Sequence, residues 1–197
     1  MKIFVINLPE AIERKTSIIK EMNKTSLDYE FVTPERVEEV KNPKEGWTTG
    51  AKSLRRTTIK LVKKALDQGL DYIWIWEDDC IVNQSDFKDM MSVLPGMLAK
   101  NFDFIHLNHS AGIRFAMFTE DTLFRRTLDG VRNCQSYIIN KGVYKDYLKY
   151  LERHEIPIDE VTKFLHRKRK KSFIVDTKPV SHKVGKYSYI RRQVVDY

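Results

Sequence analysis

The chain has 197 residues, 42% of them hydrophobic and 31% charged, which are the proportions of an ordinary globular protein and exclude disordered, collagen-like and disulfide-stapled classes. Its length suits one domain, since most domains run to about 100 to 200 residues. The formal net charge of +8 directs the expected partners toward phosphates, polyanions or an anionic membrane surface and says nothing of the fold.

Residues 3 to 8 form a short apolar run ending in Asn7-Leu8-Pro9, too brief for the core of a signal peptide, and they predict a first strand. No stretch reaches the roughly 18 uninterrupted apolar residues of a membrane span. Only two cysteines occur, Cys80 and Cys134, without zinc-site spacing, so reduced thiols in a cytoplasm are expected. Pro9 opens a helix to about Lys24, with Ile12, Ile18, Ile19 and Met22 toward one side. Tyr29-Glu30-Phe31-Val32 predicts a second strand, so the chain begins as strand, helix, strand. Residues 33 to 49 are polar and hold Pro34, Pro43 and Gly46; a loop of that length often carries function.

The clearest helix runs from about Ala51 to Gln68. Leu54, Thr58, Leu61, Val62 and Ala65 share one face, Lys60, Lys63 and Lys64 the opposite one, and Gly69 supplies the stop. Tyr72-Ile73-Trp74-Ile75-Trp76 is apolar at consecutive positions, as in a strand covered on both faces at the centre of a sheet. Glu77, Asp78 and Asp79 follow it directly. A helix bearing Phe87, Met90, Met91 and Leu94 is expected to end or kink at Pro95-Gly96. Residues 102 to 107 and 134 to 139 predict two further strands, separated by an irregular stretch rich in Arg and Thr. Asn140 then caps a helix with Val143, Tyr144, Tyr147, Leu148 and Leu151 on one face. The remainder predicts a short helix near 159 to 167, a basic run His166-Arg167-Lys168-Arg169-Lys170-Lys171, a strand Phe173-Ile174-Val175, and a polar tail containing His182.

Open α/β sheets bind ligands outside the carboxyl ends of their strands, which is where the acidic triplet falls. Three adjacent carboxylates repel one another unless a cation or hydrogen-bond donors neutralise them. Mg²⁺ and Mn²⁺ prefer oxygen ligands and commonly take one or two carboxylates, with substrate phosphates at other positions. The plainer alternative is a solvated turn. No Walker loop and no G-x-G-x-x-G occurs, so a nucleotide diphosphate bound here would depend on a metal for much of its hold.

Several segments carry a resemblance. They are Val5-Ile6-Asn7-Leu8 with Arg14 downstream, the strand leading to Trp76-Glu77-Asp78-Asp79, Phe104-Ile105-His106-Leu107-Asn108, and Gln135-Ser136-Tyr137-Ile138-Ile139-Asn140-Lys141 followed by Pro157-Ile158-Asp159. In their order and spacing across nearly the whole chain they resemble glycosyltransferase family 25, the lipooligosaccharide and collagen galactosyltransferase group. The resemblance implies an α/β A-type glycosyltransferase fold: one domain over 1–197 with a Rossmann-like mixed sheet flanked by helices, a nucleotide-binding part over about 1–100 and an acceptor-binding part over about 101–197. It implies a metal-dependent inverting transferase, using Mn²⁺ or Mg²⁺, that moves a sugar from a nucleotide-sugar donor, a UDP-sugar, to a glycan or glycolipid acceptor.

By residue, the resemblance makes Asp79 a metal ligand in a D-x-D-like motif and has Glu77 and Asp78 hold the ribose, the sugar or the metal's waters. It places Asn7, Leu8 and Arg14 near the nucleotide. His182, in Ser181-His182-Lys183-Val184-Gly185, becomes the second metal ligand. Asp159 becomes the base that deprotonates the acceptor, with Glu160 as substitute, although an aspartate heading a helix also serves as a cap. The chain departs from the family at Gly50-Ala51-Lys52-Ser53-Leu54-Arg55-Arg56, which lacks the Cys and His of the usual Gly-Cys-x-x-Ser-His. The donor-sugar pocket is therefore expected to differ, as in a divergent bacterial or viral member working in the cytoplasm of a cell or infected host. The run over 166–171 is either a solvated face or a contact for anionic lipid, a phosphorylated glycan or nucleic acid, with an anionic membrane or acceptor the preferred partner. Clustered carboxylates would equally suit a metal-dependent nuclease or phosphotransferase, and the charge a nucleic-acid-binding module, for which the usual motifs are absent.

Overall fold

The computed structural model describes residues 1–41, 47–108, 123–127, 131, 135–169 and 171–182, without the side chains of Arg169 and His182. Cys134, Lys170 and the Lys183-Val184-Gly185 segment lie outside the described residues. In chain order the elements are β1 (Lys2–Ile6), α1 (Ile12–Asn23), β2 (Tyr29–Val32), α2 (Thr49–Asp67), β3 (Tyr72–Glu77), β4 (Cys80–Val82), α3 (Gln84–Leu98), β5 (Phe104–His106), β6 (Phe124–Arg126), β7 (Ser136–Asn140), α4 (Tyr144–Arg153), α5 (Ile158–Arg169), β8 (Ser172–Val175) and β9 (Val180–His182). A short 3₁₀ turn, Lys141–Val143, leads into α4.

Seven strands form a mixed sheet in the order β2-β1-β3-β7-β5-β8-β6. β1 is parallel to both β2 and β3, and β5 is parallel to β8, while β7 and β6 run antiparallel to their neighbours. The alternation of strand side chains explains why consecutive positions of β3 are all apolar. Trp74 and Trp76 enter the core on one face with Ile3, Val5, Phe87 and Met90. Ile73 and Ile75 enter the opposite core with Phe4, Leu61, Tyr147 and Leu165. Both faces of the sheet are therefore covered by helices, and a polar residue in the middle of β3 would be buried on either side.

The helices differ from expectation in instructive places. Pro9 and Glu10 form a turn in which the Ala11 amide donates to the Leu8 carbonyl at 2.9 Å. α1 thus begins only at Ile12, whose side chain is exposed while Ile18 and Met22 are buried. Helix α3 runs through Pro95 to Leu98. The proline lacks one backbone donor, but Leu94 and Met97 are both buried and hold the last turn on the core. The expected irregular stretch contains β6, and the polar tail contains β9, which pairs with β4. His166 does not belong to a solvated basic face: it is 1% exposed, one turn beyond the buried Thr162. Among the described residues no helix is long and apolar enough to cross a membrane.

Candidate active site

Parallel pairing of β1 with β3 sets Ile6 opposite Glu77, so Asn7-Leu8 and the acidic triplet leave the sheet at the same edge. Asn7 is buried, and its backbone amide donates to the Val32 carbonyl at 3.1 Å. Its side-chain amide donates to Asp78 Oδ2 at 2.7 Å. Arg14, reaching in from α1, donates to Asp78 Oδ1 and lies 3.6 Å from Asp79 Oδ2, with its side chain only 16% exposed. Arg14 is therefore mostly buried and held against the acidic triplet. Both Asp78 oxygens are engaged by protein donors, whereas Asp79 Oδ1 is buried without a hydrogen-bond partner.

The electrostatics follow from this crowding. Burial pushes the Glu77 carboxyl well above its ordinary range; the charges of Asp79, Asp159 and Asp78 add to the shift, and Arg14 opposes it. Burial also raises Asp78, offset by Arg14 and the Asn7 hydrogen bond. The neighbouring Cys80 thiol is raised by burial and by Asp79 and Glu77, so it is a neutral thiol, and it donates to the Gln135 carbonyl at 3.3 Å. Asp159 thus belongs to the same field as the triplet although it is 80 residues further along the chain. It stands with Glu160 in the first turn of α5, where both are the acids that a helix dipole favours. Glu160 pairs with Lys163 at 3.4 Å and lines a groove between α4 and α5, while the charge of Asp159 raises Glu77.

β4 leaves the triplet at Cys80, and its pairing with β9 sets the backbone of His182 directly opposite Cys80. The candidate ligand is thereby brought, as a backbone position, one residue from Asp79. Among the described residues no three His, Cys, Asp or Glu side chains form a complete metal cage. The donor chemistry nonetheless fits a hard divalent ion: Asp79 Oδ1 is a buried carboxylate oxygen without a donor, in a field of like charges that a cation would relieve.

Two residues at this edge were not singled out as site residues from sequence. The Gln135 carbonyl accepts from the Glu77 amide at 2.8 Å, and its side chain accepts from Asn108 at 2.7 Å. Their signal is positional, since each is the polar residue flanking an apolar strand on the side where the acids emerge. Leu8 lines a cavity of about 210 Å³ together with Pro34, Arg36, Gly50, Ser53 and Leu54. The segment where the sequence departs from the family pattern is thus a wall of the cavity beside the site.

Residues 57–162, more than half of the chain, match the family described as Glycosyltransferase family 25 (LPS biosynthesis protein). No curated protein sequence matches the chain. Among solved structures it is similar to a glycosyltransferase involved in the glycosylation of the major capsid of PBCV-1, with a TM-score of 0.56 and 10% identity over 94% of this chain and 93% of that one. It is also similar to a UDP-glucose pyrophosphorylase solved with UDP-glucose, with a TM-score of 0.53 and 12% identity over 92% and 91% of the two chains. At such identities these likenesses speak for the fold.

Proposed function

Because the chain belongs to glycosyltransferase family 25, we propose that it moves a sugar from a UDP-sugar to a hydroxyl of a glycan or glycolipid acceptor, with inversion and with the help of a divalent cation. Glycosyl transfer is the activity of the family, and the mixed sheet is that of the A-type glycosyltransferases. The observation that carries the finer reading is Asp79 Oδ1, buried and without a hydrogen bond beside three other carboxylates.

In this reading Asp79 and His182 hold the cation, Mn²⁺ or Mg²⁺. Bound there, it would neutralise negative charge building on the departing diphosphate. The chain's own residues do the rest. Asp78 fixes Arg14 through a direct ion pair, which keeps a positive charge beside the acids and aimed at the phosphate edge. Asn7 holds the second oxygen of Asp78, tying the end of β1 to the end of β3. The cavity walled by Leu8 and Pro34 receives the nucleoside, away from bulk water. Asp159 accepts the proton of the acceptor hydroxyl as that oxygen attacks the anomeric carbon from the side opposite the diphosphate.

A panel of nucleotide sugars with Mn²⁺, scored by released nucleotide, tests the proposal. UDP-sugar turnover in the wild type and its loss in Asp79→Ala is the expected outcome. Turnover that survives both chelation and Asp79→Ala would remove the cation from the reading. A donor other than a UDP-sugar would correct the nucleotide alone.

A further inference from the structure

Helices α4 and α5 leave between their outer turns a groove of about 290 Å³ to which the proposed catalytic roles assign no ligand. Its walls are aromatic: the Tyr150 and Phe164 rings lie 4.9 Å apart, and Tyr150 stacks on His154. Phe164 is 51% and Ile156 37% exposed, while Ile158, Val161 and Leu165 on the neighbouring stripe of α5 are buried in the core. That stripe anchors the helix, and beyond its contact with Tyr150 about half of Phe164 faces water.

Cations surround these apolar groups. Lys163 and Arg167 line the groove, Lys168 lies over the Tyr150 ring at 5.6 Å, and Lys149 and Arg153 are exposed on α4. Of the nearby acids, Glu160 pairs with Lys163 and Glu152 with Lys63, while Glu155, next to Ile156, is exposed. Apolar side chains ringed by cations supply two attractions to an anionic bilayer, insertion and charge, each of which is weak alone. A soluble polyanion would use the cations and leave Phe164 wet.

We propose that this face of α4 and α5 docks on an anionic phospholipid bilayer, with Phe164 and Ile156 entering the headgroup boundary and Arg167 and Lys168 against the lipid phosphates. The docking does not depend on the catalytic reading, because it is read as lipid binding and persists in Asp79→Ala. Since Asp159 stands in the first turn of α5, a docked molecule would hold that end of the helix close to a lipid-borne acceptor.

Co-sedimentation of the full chain with phosphatidylcholine vesicles, with and without phosphatidylglycerol, tests this. The wild type should partition onto the anionic vesicles alone and leave them as salt rises. Each basic residue at such a surface is worth about fivefold in partitioning, so the double variant Arg167→Gln/Lys168→Gln should bind at least about tenfold more weakly. Phe164→Ser should also weaken binding, with an unchanged circular dichroism spectrum. Equal partitioning onto both vesicle types, or unchanged binding by both variants, overturns the proposal. So does salt-sensitive binding that Phe164→Ser leaves intact and soluble heparin displaces, which would assign the face to a polyanion.

Discussion

Asp78 and Asp79 are adjacent and carry the same functional group, and their surroundings give them different work. Asp78 spends both oxygens on Asn7 and Arg14, while Asp79 keeps one oxygen buried and free of hydrogen bonds. Asp79→Asn is therefore expected to abolish any rise in melting temperature that Mn²⁺ produces in the wild type, whereas Asn7→Ala should weaken that rise without abolishing it; thermal scans with and without the ion decide. Asp159→Asn should lower kcat by about 10²- to 10⁴-fold, the range of a lost general base, and Glu160→Gln should change it by less than about threefold, read from nucleotide release under saturating donor. The buried imidazole of His166 offers a different check. The Val131 amide donates to its Nδ1 at 3.2 Å, which assigns its proton to Nε2, facing His106 Nε2 at 3.3 Å. Protonation would set a donor against the Val131 N–H, and burial accordingly lowers His166 to about 3. An unfolded histidine titrates near 6.5, so its stabilising contribution is whole above that pH and is lost as pH falls from about 6.5 toward 3, by about 1.4 kcal/mol per unit within the window. Denaturant melts at pH 7 and pH 5 should show His166→Gln less stable than wild type at pH 7 but losing less on acidification.

At the scale of elements, the aromatic pair of β3 depends on α3. Phe87 stacks on Trp74 with centroids 6.0 Å apart and meets Trp76 at 6.2 Å, so Phe87→Ala should cost about 3 to 5 kcal/mol by loss of a fully packed ring, measured by urea denaturation. Such elements were legible in the sequence because their burial is periodic or continuous. β1, β3, α2 and the buried face of α4 declare themselves by apolar spacing alone, and the acids after β3 fall where an α/β sheet puts its ligands. β4, β6 and β9 were not legible. Each has three residues, too few to display an alternation, and each exists through a partner distant in sequence. The approach of His182 to Asp79 is for that reason a property of the β4 and β9 pairing that no local pattern announces. His166 was misread because its neighbours are basic; the helical period, carried four residues on from the buried Thr162, points it inward. Arg14 gave no local sign of its partner, since an ion pair between a helix and a turn 64 residues away leaves no spacing to read.

The whole molecule cannot be divided at the expected boundary near residue 100. β7, from the second half of the chain, lies between β3 and β5 and covers one edge of β3. A fragment of residues 1–100 would expose that edge, with Trp74 deprived of the Ser136 hydroxyl it donates to at 2.9 Å and the Glu77 amide deprived of Gln135. The fragment is expected to lack cooperative unfolding by circular dichroism, whereas the full chain melts in one transition. The same arrangement has a consequence for diversification. Because β7 runs opposite to β5, the chain leaves β5 at Asn108 and enters β7 at Gln135, having added β6 to the sheet beside β8 on the way, and the two residues are joined by a side-chain hydrogen bond at the rim that bears the acids. Length and composition on either side of β6 in the span they bracket can drift while that clasp stays shut, so a new acceptor preference could arise by exchanging those excursions of the chain, leaving the registers of β1, β3, β5 and β7 as they are.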